Sequence, residues 1–256
     1  MIGSAVSKGL AQGKVVKIER PTIDIPDTPC NDQTACLETF EDALKASKED
    51  LKALQAKAKD TLDAEHLAIF DAHLQMVDDI EIVKQVKEKI AAGMNPLAAY
   101  YDVTESFKAM FEAMDDPYFK ERASDIKDIQ TRVLAHMAGT PLKDLALLDD
   151  DAIIVADDLT PSDTAALDLS KVKGFATEIG GYTSHTAIMA RALGLPAVVG
   201  VSGIMTLKEG DLVLLNGNTG ALEVNPDDAA LKAFEKALKA YEETLERQAK
   251  FQSLKG

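Results

Sequence analysis

Apolar residues recur at alternating spacings of three and four from about residue 33 to residue 138, and in short β-branched runs on either side. Leu37, Phe40, Leu44, Ser47, Leu51, Leu54 and Ala58 form one heptad-like stripe, which predicts an amphipathic helix. A second stripe, from Asp63 to about Ile90, holds Leu67, Phe70, Leu74 and Val77, then Val83, Val86 and Ile90. The Asp78–Asp79 pair inside it is compatible with one bent helix or with two. Asn95 before Pro96 is an N-cap followed by proline at the first helical position, and it opens a third stripe of Leu97, Tyr101, Thr104, Phe107, Phe111 and Met114. Asp116 before Pro117 repeats the signal ahead of Ile126, Ile129, Val133 and Met137, and Gly139 with Pro141 stops that stripe. Four stripes with short connections predict an antiparallel helical bundle over 33–143.

The flanks follow a different pattern. Val15, Val16 and Ile18, with Gly9 and Gly13 as turn signals, predict a strand pair in 1–20. PTIDIPDTPCND (21–32) reads as a connector. After residue 151, AIIVA (152–156), KGFATE (173–178) and PAVVGV (196–201) predict strands, and DLVLLN (211–216) with ALEVNP (221–226) predicts a hairpin. Helices are expected at 161–168 and about 184–194. The fold class is therefore α/β with an all-α insertion: an α/β domain from 1–20 and 145–228, and a helical subdomain, 33–143, inserted into it. Leu231, Phe234, Leu238, Tyr241 and Leu245 mark a C-terminal linker helix over 229–256.

Composition narrows the function. The formal net charge of −15 argues against a nucleic-acid surface, which needs clustered Lys and Arg, and suits either a basic protein partner or plain solubility. The N-terminus lacks the apolar core of a signal peptide, and no apolar run is long enough for a bilayer, so a cytoplasmic protein with no membrane partner is expected. Cys30 and Cys36 fit neither a CxxC nor a zinc pattern, so two inert thiols in a reducing compartment are expected.

The candidate chemistry centres on GGYTSHTAIMARALGLPAVVG, residues 180–200. Ser184 stands where an N-cap would stand, which puts His185 in the first turn of a helix, where free N–H groups and the macrodipole favour an anion. A histidine takes a phosphoryl group on a bare ring nitrogen, so its other nitrogen must hold the proton and needs an acceptor. Donors must already face the transferred oxygens. Gly180 and Gly181 permit close backbone approach, and Arg191 supplies a full charge if the fold brings it back to the phosphate. On spacing alone, His185 could equally be an ordinary loop-to-helix residue.

The stretch resembles the phosphohistidine signature of the phosphoenolpyruvate-utilising enzymes: Gly-Gly-x-Thr-Ser-His, then Ala-Arg and Leu-Pro-Ala. AIFDAHLQMVDD (68–79), FKERASDIKDIQTRVL (119–134) and DDLTPSDTA (157–165) resemble the amino-terminal half of enzyme I of the sugar phosphotransferase system. The resemblance implies a swivelling α/β domain and phosphoryl exchange between His185, phosphorylated on Nε2, and the phosphocarrier protein HPr. It implies that Thr164 fixes the histidine tautomer and that Arg122 reaches the phosphate. Gly180, Gly181, Thr183 and Ser184 would form the approach loop. Phe70, His73, Leu74, Val77, Met110, Met114 and Lys127 would meet HPr, with Asp71, Asp78, Asp79 and Glu81 steering it. Magnesium and phosphoenolpyruvate belong, in that family, to a carboxy-terminal barrel absent from this sequence, so this chain is expected to hold no cofactor or metal and to be a monomer. Two positions depart from the family pattern. Tyr182 stands where the signature usually has Arg, and Lys127, also usually Arg, keeps the charge but loses the bidentate fork.

Blander readings accompany several of these residues. His66 and His73 are seven apart, the wrong spacing for a metal pair. His136 reads as core edge. Met110 and Met114 are core or an adaptable docking rim. Asp149–Asp151 reads as a solvated turn rather than a magnesium site. Two other functions remain open: a phosphohistidine module of another phosphoenolpyruvate-utilising enzyme or of a dihydroxyacetone-kinase phosphotransferase, or a non-catalytic module that docks HPr.

Overall fold

A computed structural model of the chain describes residues 1–59, 64–140, 142, 148 and 151–253. The chain divides into two compact units. One comprises Arg20–Asp144 and Thr160–Ala166, the other Met1–Glu19, Leu145–Leu159 and Leu167–Gly256.

The helical unit contains α1 (Gln33–Ala58), α2 (Ala64–Val77), α3 (Ile80–Ala91), α4 (Pro96–Glu112), α5 (Pro117–Ala138) and the short α6 (Pro161–Ala166). Both starts that the sequence marks in this unit are working caps: Asn95 accepts from Leu97 N–H and Asp116 from Tyr118 N–H, with prolines opening α4 and α5. Asp32, inside the segment read as a connector, caps α1 as well, accepting from Ala35 N–H. Asp79 accepts from both Glu81 and Ile82, so the second stripe is two helices, broken where a new N-cap begins. Gly139 closes α5 at φ 63°, the left-handed conformation expected of a C-terminal glycine.

The stripes meet in one core that includes Phe40, Leu44, Leu51, Phe70, Val86, Ile90, Tyr100 and Val133. The Phe40 and Tyr100 rings lie 5.8 Å apart. Burying a side chain of Phe40's size contributes about 1.5–3 kcal/mol. Segment 160–166, expected in the α/β domain, sorts with the helices. Ala165 joins their core, Lys57 Nζ donates to Ala166 C=O (2.5 Å), and Arg20 pairs with Asp163 (3.4 Å).

Cys30 and Cys36 are not two free thiols. They form a disulfide across the end of the connector and the first turn of α1. The cap at Asp32 folds the chain back, bringing their Cα atoms to 6.4 Å.

The second unit is a seven-stranded sheet: β1 (Ser4–Ser7), β2 (Leu10–Ile18), β3 (Ala152–Ala156), β4 (Val172–Thr177), β5 (Ala197–Val199), β6 (Leu212–Asn216) and β7 (Ala221–Val224), in the order β1-β5-β4-β3-β2-β6-β7. β2, β3, β4 and β5 run parallel, while β1, β6 and β7 add antiparallel margins. β2 and β3 are neighbours in the sheet, so α1 to α5 lie in the connection between two adjacent parallel strands, while α6 follows β3.

The sheet curls until its margins touch. Ile2 bridges Ala221, Gly3 N–H donates to Gly220 C=O (2.9 Å), and Leu222 N–H to Met1 C=O (2.9 Å). Closure satisfies edge groups that would otherwise recruit another strand. Alternate residues of the strands, among them Ala11, Val15, Ile153, Val155, Ala176, Val198, Val213 and Leu215, fill one core. At Gly13 the Asp151 carbonyl occupies the space that a Cβ would need. α7 (His185–Leu193) packs on β1, β4 and β5, and α8 (Asp228–Ser253) touches β2.

Candidate functional site

The loop from β4 to α7 is fastened before it reaches His185. Val201 N–H donates to Thr177 C=O (2.9 Å), Thr177 Oγ1 to Ile179 C=O (2.7 Å), and Ile179 N–H to Asp157 C=O (2.9 Å). Glu178 accepts from Gly203 N–H (3.1 Å). Gly180 then adopts φ +125°, where a Cβ would lie 3.2 Å from Ser184 Oγ and 3.4 Å from Val199 Cβ. Only glycine takes that turn at low cost. Gly181, paired with it in the sequence reading, has open space around it and no positive φ, so the backbone demand falls on Gly180 alone.

The chain then turns into α7. Ser184 N–H donates to Gly181 C=O (3.0 Å). Ser184 is the N-cap, its Oγ accepting from Ala187 N–H (3.3 Å) and its C=O from Ile188 N–H (3.0 Å). His185 is therefore the first residue of the helix, half-buried, where the N-terminal partial charge is greatest. Arg191 folds back along α7. Its Nη1 donates to Tyr182 C=O (3.0 Å) and Val6 C=O (3.2 Å), and its guanidinium lies 4.5 Å from the Tyr182 ring centroid. That stack is a cation–π contact. It gives Tyr182 a role that its departure from the signature did not suggest: the ring tethers the remaining cation to the loop. Thr183 and Tyr182 are exposed.

The other candidates lie in the helical unit. Thr164, on α6, donates its hydroxyl proton to Thr160 C=O (3.1 Å), which leaves the oxygen's lone pairs as an acceptor. Arg122, on α5, is held by Tyr118, whose hydroxyl accepts from Nε (3.2 Å) and Nη2 (2.9 Å) and whose ring centroid lies 5.1 Å from the guanidinium. Asp125 Oδ2 lies 3.7 Å from its Nη1. Lys127 is exposed and adds charge near Glu105. Burial pushes the Glu105 carboxyl up, but hydrogen bonds from Lys108 and Gln130 and the charges of Lys108 and Lys127 together hold it below the usual carboxylate range.

The expected docking face needs correction. Phe70 and His73 are 0% exposed and Val77 is 2% exposed, all packed inside the helical unit, so none can touch a visiting protein. The α2 periodicity marks its core stripe instead. Leu74 and Met114 are partly buried and Met110 is 45% exposed. Beside them Phe111 stacks on Phe119 (5.7 Å), and Tyr118 is exposed. His136 is not core edge: it is exposed and pairs with Asp50 (2.8 Å). The His66 side chain and Asp149–Asp150 lie outside the described residues, while Asp151 is an exposed residue paired with Lys173 (3.3 Å). Tyr118 and Asp125 were not singled out from sequence, although their i−4 and i+3 spacing to Arg122 is the available signal. Among the described residues, no three His, Cys, Asp or Glu side chains group as a metal site, and no helix is long and apolar enough to cross a membrane.

Two family models cover most of the chain: PEP-utilising enzyme, N-terminal, over residues 2–122, and PEP-utilising enzyme, mobile domain, over 148–220. An NMR solution structure of enzyme I matches with a TM-score of 0.81 and 35% identity, covering 94% of this chain and 99% of that one. The chain belongs to the PEP-utilising enzymes. Its likeness to curated relatives agrees. It is 43% identical over 236 residues to phosphoenolpyruvate-protein phosphotransferases of Streptococcus equinus and of Enterococcus faecalis, covering 91% of this chain. The chain spans 41% of the length of those relatives. A structure described as the N-terminal domain of Enzyme 1 - Nitrogen shares the fold at a TM-score of 0.61 and 23% identity. Within this PEP-utilising family, the mobile-domain match spans the whole loop and helix that carry His185.

Proposed function

We propose that this chain is a phosphoryl-transfer module in which His185 exchanges phosphate with HPr. One observation carries the reading. A half-buried histidine opens a capped helix, behind a loop whose turn only glycine allows, with an arginine folded back onto that loop. In the forward step the Nε2 lone pair of His185 attacks phosphorus on a phosphohistidine of the partner. The new P–N bond forms as the old one breaks, and the partner's ring nitrogen recovers its electron pair. Reversal returns the group to HPr. Thr164 is the proposed acceptor for the Nδ1 proton, which keeps Nε2 bare; its hydroxyl proton is already engaged with Thr160, so only its acceptor side remains to offer. Arg191 and the first-turn N–H groups of α7 offset charge on the transferred oxygens. A role at these oxygens is likewise proposed for Arg122, and Met110, Met114, Leu74 and Lys127 are the residues proposed to meet HPr. Phosphoenolpyruvate and magnesium take no part in the step proposed for this chain's residues.

Incubation with phosphorylated HPr tests the reading by intact mass. One acid-labile phosphate should appear on the chain and be absent from His185→Ala. No gain, or a gain that survives in His185→Ala, rejects it. HPr binding without any gain would identify a docking module instead.

A further inference from the structure

Next to Arg122 the helical unit encloses a polar cluster, His73 with Asp125 and Asp128, to which the proposed chemistry gives no role. His73 is 0% exposed, yet each ring nitrogen faces a carboxylate. Nε2 lies 3.1 Å from Asp125 Oδ1, and Nδ1 lies 3.7 Å from Asp128 Oδ2. Asp125 divides its two oxygens: Oδ1 goes to His73 and Oδ2 faces Arg122 Nη1 at 3.7 Å. The carboxylate is itself 7% exposed, so its orientation is set by its neighbours and not by water. The Phe70 ring packs edge-on against the imidazole (6.4 Å) and closes the apolar side. Asp128 extends the cluster toward α6. Burial, then the nearby Asp128 charge, pushes the Asp163 carboxyl up, while Arg20 and the Thr160 hydrogen bonds pull it back.

We propose that His73 is a positioning residue for phosphoryl transfer: by fixing the plane of Asp125 it aims the guanidinium of Arg122. The proposal rests on the functional reading above, in which Arg122 meets the phosphate. The mechanism is mechanical. One buried carboxylate has its first oxygen locked by a hydrogen bond, so its second oxygen presents a fixed target to a mobile cation. Tyr118 holds the guanidinium by its Nε/Nη2 edge, and Asp125 holds Nη1. With His73 gone, the carboxylate loses the hydrogen bond that fixes its plane and its pairing with Arg122 is no longer aimed, while the Tyr118 contact stays. A buried polar group is costly unless it is satisfied, which makes an idle imidazole at this site expensive.

The test compares His73→Leu, His73→Gln and Arg122→Leu, alone and combined, in the whole chain. His73→Leu should lower kcat for transfer from phosphorylated HPr by about 10-fold, a small misaiming loss, with KM for HPr within about 2-fold. It should also shift the Arg122 Nε–H resonance. His73→Gln, which restores a side-chain donor, should recover most of both. The His73→Leu, Arg122→Leu double variant should be no slower than Arg122→Leu. Additive losses in the double variant, or an unmoved Arg122 resonance in His73→Leu, overturn the proposal. If His73→Leu fails to fold, Asp125→Asn carries the same comparison, with the same resonance shift and the same non-additivity expected. The two readings fail separately. Absence of transfer in the unmodified chain defeats the functional reading, while the Arg122 resonance still decides the positioning.

Discussion

Gly180→Ala isolates the turn that delivers His185. At φ +125° the new methyl enters a region of backbone space that L side chains rarely adopt. It also meets Ser184 Oγ at 3.2 Å and Val199 Cβ at 3.4 Å. The Val199 contact is ordinary. The Ser184 contact is tight, and Ser184 is the N-cap of α7, so relief comes by moving the cap that sets His185. Backbone strain of this kind costs about 1–3 kcal/mol. Loss of the Ser184 cap would add about 1 kcal/mol. The α/β unit should therefore lose about 1–4 kcal/mol, which for a unit of this size lowers Tm by roughly 4–16 °C. Gly181→Ala is the control, because its Cβ meets nothing within 4 Å and its φ is not positive. The assay is thermal unfolding of both variants, paired with phosphate uptake from phosphorylated HPr. Gly180→Ala should melt lower and transfer more slowly, while Gly181→Ala should match the unmodified chain in stability. Equal melting of the two variants would refute the reasoning, since the sequence presents the glycines as a pair and only the structure separates them.

Two further outcomes follow from the helical unit. Phe70→Ala should destabilise that unit by about 3–5 kcal/mol, as a core truncation does, and chemical denaturation would measure it. A stable variant with weakened HPr binding would instead restore Phe70 to a docking face. Asp163, whose carboxyl is raised by burial and then by Asp128, binds more protons in the folded state, so its contribution to stability falls as pH rises from its ordinary value through the raised one. Asp163→Asn keeps an acceptor for Thr160 N–H and removes the charge, so the variant should be at least as stable as the unmodified chain at neutral pH and lose less stability on going from about pH 4 to pH 7. A neutral-pH loss would mean that the Arg20 pair outweighs the burial cost.

Much of the fold was legible because its signals are local. Asn95, Asp116 and Gly139 start or stop helices through contacts two to four residues away, and their chemistry is readable in a single sequence, whereas the caps at Asp32 and Asp79 emerged only in the structure. The β-branched runs likewise announced strands. Non-local features were not legible. Nothing in residues 160–166 says that they pack with a bundle encoded more than twenty residues earlier. The Ile2–Ala221 closure joins opposite ends of the α/β segments. The Cys30–Cys36 pair matched no known spacing, and its geometry comes from the turn at Asp32. At the site, the position of His185 was readable from the Ser184 cap. The α2 face was misread because a stripe of Phe70, His73, Leu74 and Val77 has the same period whether it faces a core or a partner. The stack of Arg191 on Tyr182 depends on how the loop doubles back, which no spacing rule gives.

The most direct measurement combines phosphorus and nitrogen NMR on the ¹⁵N-labelled chain after exposure to phosphorylated HPr. The account predicts a single phosphohistidine signal coupled to Nε2 of His185, with the Nδ1 proton retained before and after transfer. Phosphorus on Nδ1, on another histidine, or on none would contradict it.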